Sequence, residues 1–165
     1  MKKYLLKQLV IIVILFVLSF MIHIYMKKTN SLLSVENIVS KQTIILIILS
    51  VILLIYNLLL YNFANINSNF MKHRIWRKMH ILILVWLIIS FLIFVILFST
   101  TSFIQNHLWT IYIIIYYFLF FINLLVLSIV NNLISKNIVI KKKLTLTWII
   151  STLIIILILF FVPNF

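Results

Sequence analysis

The chain has 165 residues, two-thirds of them apolar, and carries fourteen Lys and Arg against a single acid, for a net charge of +13. A soluble domain of this length cannot hide so much apolar surface, so the composition places the chain with integral membrane proteins. Cysteine is absent and Glu36 is the only acid, which excludes disulfides, cysteine-ligated iron–sulfur clusters, paired-carboxylate catalysis, a Ser-His-Asp triad and carboxylate-held metals within the chain.

Glycine is also absent, and Ala64 and Pro163 are the sole alanine and proline. Membrane helices ordinarily use Gly and Ala to let backbones approach, so packing does not account for this profile. The missing types are those with GC-rich codons, whereas the abundant Ile, Leu, Phe, Asn, Lys and Tyr can all be written in A and T. An AT-rich genome, organellar or bacterial, accounts for the bias.

A bilayer core needs about 20 apolar residues as helix. Five segments meet that length: roughly 8–26, 42–64, 79–99, 108–131 and 145–163. The fold class expected is therefore an all-α membrane protein with five transmembrane helices in one integral membrane domain over residues 1–165. The first span follows "MKKYLLK", which resembles the basic start of a signal peptide. Its long apolar run, the lack of a small-residue cleavage site and the Lys27–Lys28 pair behind it read as a retained helix. The second loop, about 65–78, reads as an amphipathic turn with Trp76 at the membrane interface beside a cluster of basic residues.

All fourteen basic residues lie at the ends of apolar segments, which points to topology and lipid head groups rather than nucleic acid. Eleven of them fall on the side shared by the N-terminus, the second loop and the fourth loop. The positive-inside tendency then puts the N-terminus in the cytoplasm or matrix and the C-terminus outside. Lys72, Arg74, Arg77 and Lys78 of the second loop, with Lys141, Lys142 and Lys143 of the fourth, are the candidates for contact with phospholipid, preferentially anionic.

No charge falls within the five spans, so a proton or ion path has no intramembrane carboxylate or lysine to run through. Polar residues inside the spans do show helical spacing. Ser50, Asn57 and Tyr61 share one face of the second, and Tyr112, Tyr116 and Asn123 one face of the fourth. Ser19 aligns with His23 on the first, and Thr145, Thr147, Ser151 and Thr152 mark the fifth. Such rows mark helix–helix hydrogen bonding. Without glycine no GxxxG crossing is available, so loose packing and reliance on partner subunits are expected. His23 and His107 are the only histidines placed at equal depth on two spans for a haem; His107, beside Asn106 at a helix start, needs no ligand. His73 and His80 lack a third ligand for a metal. No cofactor and no catalytic residue is expected.

"LYNFANINSN", Leu60 to Asn69, is similar from Phe63 through Ile66 to the Arg-Leu-x-Ala-Asn pattern of the ATP synthase a subunit. Tyr61 stands where that family's essential arginine would, so the proton-translocating mechanism does not carry over. The architecture resembles subunit six of respiratory complex I in size and span count. "KKTNSLLSV", Lys27 to Val35, stands where that family has a short polar link between its first two helices. The third span, "ILILVWLIISFLIFVILF", lacks the glycine and tyrosine of that family's π-bulge. The resemblance implies a hydrophobic, organelle-encoded subunit of a respiratory complex or ATP synthase, non-catalytic, set among other subunits of the mitochondrial inner membrane. The alternative is a small bacterial plasma-membrane protein, either a transporter component or an immunity protein against a membrane-active toxin.

Overall fold

A long apolar run in hydrocarbon satisfies its backbone N–H and C=O groups most directly along its own helix. The computed structural model, which describes residues 10, 13, 14, 17, 38–67, 70–101, 108–134 and 138–161, forms four long helices. These are α1 (Ile38–Ile66), α2 (Trp76–Thr100), α3 (Leu108–Leu133) and α4 (Ile140–Phe161). Each is long and apolar enough to cross a membrane, and no strand occurs among the described residues. The expected first span lies outside the described residues apart from Val10, Val13, Ile14 and Val17, which are helical. Ser19, His23, Glu36, His107 and Lys136 also lie outside them.

Three helices start earlier than the apolar runs, at Ile38, Trp76 and Ile140, and two consequences bear on the site. Helix α4 begins at Ile140, so Lys141, Lys142 and Lys143 belong to its first turn and not to a loop. Lysine is a good helix former, and the Val139 carbonyl accepts from the Lys142 and Lys143 N–H groups at 3.0 and 3.4 Å. The second concerns Trp76, which is buried against the protein. Its indole Nε1 donates to the Phe70 carbonyl at 2.6 Å across the turn that joins α1 to α2. Burial here satisfies the donor with a protein carbonyl while covering the ring.

Helix α3 is the hub. It packs against α2 and α4 and more lightly against α1, while α1 packs chiefly on α4; α1 and α2 do not pack on each other. Three rows at intervals of four residues are buried: Ile52, Tyr56, Leu60 and Ala64 on α1; Leu119, Asn123, Leu127 and Asn131 on α3; Lys143, Thr147, Ser151 and Ile155 on α4. Rows at this spacing form the ridges by which helices interdigitate. On α4, Thr147 and Ser151 are wholly buried four residues apart, a small-xxx-small pattern made without glycine. Ala64, Ser128, Thr147 and Ser151 are all fully buried, so small side chains other than glycine stand at the helix contacts.

Two apolar clusters fill the spaces between the rows. One gathers Leu60, Ala64, Met71, Trp76, Leu127 and Leu144 at the end of the bundle that carries the α1–α2 turn. The other gathers Ile52, Leu53, Tyr56, Leu119 and Ile155 further along. Helix α2 stands outside both for most of its length: Trp76 and Ile83 are its only buried residues. Tyr117 of α3 ties it on, its hydroxyl accepting from Trp86 Nε1 at 2.6 Å and lying 2.8 Å from Ser90 Oγ. Phe91 and Phe94 also meet Phe118 edge-on.

Candidate functional site

Polar side chains among apolar helices are costly unless they bond to one another, so the polar positions of the buried rows are where a site would be built. They form two nodes. At the first, Asn57 Nδ2 donates to Asn123 Oδ1 at 3.2 Å and to the Leu53 carbonyl of its own helix at 3.1 Å. Asn123 Nδ2 returns a bond to Asn57 Oδ1 at 3.4 Å, and Ser151 Oγ donates to Asn123 Oδ1 at 3.2 Å. One amide on α3 thus joins α1 and α4. Around it Trp148 Nε1 donates to the Ser50 carbonyl and the Tyr56 hydroxyl to the Tyr116 carbonyl, both at 3.1 Å.

The second node lies where α3 ends and α4 begins. Lys143 Nζ donates to Asn131 Oδ1 at 2.8 Å, and Asn131 Nδ2 donates to the Met71 carbonyl at 3.0 Å. Ser128 Oγ and Asn132 Nδ2 donate to the Trp76 carbonyl at 3.3 and 3.1 Å, and Asn132 Nδ2 lies 3.2 Å from His80 Nδ1. These bonds hold the α1–α2 turn and the start of α2 onto the end of α3.

The residues singled out from sequence divide accordingly. Asn57 and Asn123 are brought together. Ser50 and Tyr116, both half-buried, take part through backbone carbonyls. Tyr61 is half-buried against the Leu60–Leu144 cluster, and Tyr112 is half-buried near the start of α3. Thr147 and Thr152 donate to carbonyls one turn back on their own helix. Lys143 is corrected: it is 3% exposed and bonded inside the bundle, unavailable to head groups. Its i+4 relation to Thr147 puts it on the buried row, and Asn131 offers the oxygen that makes burial tolerable. Lys72, Arg74, Arg77, Lys78, Lys141 and Lys142 are exposed. Sequence reasoning passed over Ser128, Asn131 and Asn132, although Asn131 is eight residues beyond Asn123 on the same face.

The second node collects the exposed cations at one end of the bundle. From residue 37 onward the chain has neither Asp nor Glu, so none of these cations has a side-chain carboxylate nearby in sequence. An apolar groove of about 400 Å³ between α1 and α4, lined by Asn57, Tyr61, Thr145 and Trp148 among others, has Lys141 at its edge. The described polar groups hold helices together; they do not align a nucleophile with a base. Compared with known proteins, the chain matches no family model, and no curated protein or solved structure is similar to it.

Two predictions follow from the nodes. In reversible unfolding in micelles, Asn57→Leu and Asn123→Leu should each destabilise, and the double variant should fall short of their sum by about 0.6–1.7 kcal/mol, the range of interhelical bonds in membranes. Strict additivity would show that the amides do not act on each other. At the second node, Asn131→Leu should cost about 1.5–3 kcal/mol by stranding a buried ammonium, whereas Lys143→Met should be neutral or stabilising. If Lys143→Met were the more damaging change, the ammonium would be contributing more than its burial costs.

Proposed function

We propose that this chain is a non-catalytic integral subunit of a large energy-converting complex, a respiratory complex or ATP synthase, in the mitochondrial inner membrane. Its work in this reading is structural: it fills a helix position, contacts phospholipid and holds neighbouring subunits. The topology proposed with it has five spans, the N-terminus in the matrix and the C-terminus outside. Support for the orientation comes from the eleven basic residues gathered on one side.

The observation that carries the subunit reading is helix α2. A helix of 25 residues touches the rest of the described chain on one side, and only two of its residues are buried. Lipid tails are as apolar as leucine, so hydrophobicity does not hold such a helix against its neighbours; packing and interhelical bonds do. Among the described residues α2 has few of either, and the apolar helices of a partner subunit would supply further packing. The polar nodes support the same reading, because their donors are spent on holding helices. The AT-biased composition fits an organellar source as it fits an AT-rich bacterium, and organelle genomes retain genes for very hydrophobic respiratory subunits.

The test is a native gel of mildly solubilised source membranes, with mass spectrometry locating the chain among the bands. Co-migration with a respiratory complex or ATP synthase is expected, and would name the assembly. Migration alone or as a small homo-oligomer would overturn the subunit reading and favour the bacterial plasma-membrane alternative.

A further inference from the structure

Because α1 and α2 both lean on α3 without packing on each other, a cleft of about 680 Å³ opens between them. Leu60, Phe63, Phe70, Met79, Phe120 and Leu124 give it apolar and aromatic walls. At its edge stands His73, which also borders two further cavities of about 720 and 590 Å³. Those two are basic: Arg74 and Arg77 line both, Lys72 the larger and Lys78 the smaller. The His73 ring is held at this junction by the Ile75 N–H, which donates to its Nδ1 at 3.3 Å.

An apolar cleft thus runs directly into four cations for which no acidic residue exists from residue 37 onward. A soluble anion would answer the cations and leave the cleft unfilled. An acidic protein segment would do the same. A phospholipid answers both, with an acyl chain between α1 and α2 and its phosphate on the arginines, whose planar forks suit phosphate oxygens. Since Arg74 and Arg77 border both cavities, with Lys72 beside one and Lys78 beside the other, a head group with two phosphates uses the four cations more fully than one with a single phosphate. Basic pockets between membrane helices are suited to such head groups.

We propose that the α1–α2 cleft and the basic turn beside it form a binding site for one anionic phospholipid bearing two phosphates. The site rests on the membrane-spanning reading above, but on no partner. It narrows the general lipid contact of the basic loops to Lys72, His73, Arg74, Arg77 and Lys78, and leaves Lys141 and Lys142 outside.

The test uses the full chain reconstituted in nanodiscs of phosphatidylcholine doped with either phosphatidylglycerol or cardiolipin, released for native mass spectrometry. One retained cardiolipin per chain is expected, held in preference to the other two lipids. The R74Q/R77Q double variant should lower its retention by about tenfold or more, and Met79→Trp, which fills the cleft and keeps every cation, should lower it as well. K141Q/K142Q removes the same charge at the same end and should leave retention within about twofold. Circular dichroism checks that helix content is kept; where R74Q/R77Q loses it, Met79→Trp carries the test. Equal retention of phosphatidylcholine, or an equal effect of K141Q/K142Q, would overturn the site. Binding of inorganic pyrophosphate as tight as that of the lipid would also overturn it, by showing that the cleft contributes nothing. Because the isolated chain is used, failure here leaves the subunit reading standing, and migration of the chain alone in a native gel leaves this site standing.

Discussion

Hydrocarbon offers a polar side chain no water, and that constraint organises the described helices. Each buried amide, hydroxyl and ammonium must find its partner within the protein. Asn123 meets the requirement by bonding to Asn57 on α1 and accepting from Ser151 on α4. Its place on the four-residue row of α3 then brings Leu119 and Leu127 into the apolar clusters on either side. Apolar contacts supply little preference for one neighbour over another among helices that are apolar on every face. The directional bonds provide that preference, so the arrangement around α3 follows from where a few Asn and Ser residues fall.

The same constraint explains Lys143 and Trp76. A lysine on the buried row of α4 is tolerable because Asn131 Oδ1 is within 2.8 Å, and that amide in turn binds the Met71 carbonyl. Trp76 is covered because its Nε1 reaches the Phe70 carbonyl. Together these bonds close the α1–α2 turn over the end of α3 and leave Lys72, Arg74, Arg77 and Lys78 pointing away from the core. Three lysines in the first turn of α4 oppose its dipole, which favours anions there. Counter-charge for this end of the bundle has to come from outside the described chain.

Much of the helical layout was legible in the sequence, because uninterrupted apolar runs leave few alternatives for α1 to α4. Asn57 and Asn123 were legible as members of rows, since seven-residue spacing from Ser50 and from Tyr116 keeps them on one helix face. Which row faces which was not legible: spacing records a face and says nothing of its neighbour. Asn131, Asn132 and Lys143 escaped for a different reason. Polar and basic residues at the end of an apolar run read as head-group contacts, and only the fold reveals that Lys143 meets an amide twelve residues back. The burial of Ala64, Thr147 and Ser151 was not legible from the glycine-free composition, which says nothing of which small residues face a neighbour.

The central claim is that α1 and α4 gather on α3 through the Asn57–Asn123–Ser151 node, with α2 set apart from α1. The chain has no cysteine, so engineered pairs can be read without background. In membranes, Tyr56→Cys with Phe120→Cys, whose rings meet at 5.4 Å across α1 and α3 and whose replacement leaves Asn57, Asn123 and Ser151 in place, should give an efficient intrachain cross-link with a short thiol linker. Leu54→Cys on the exposed face of α1 paired with Leu92→Cys on the exposed face of α2 should give none. Cross-linking of the second pair, or failure of the first, would contradict the arrangement described.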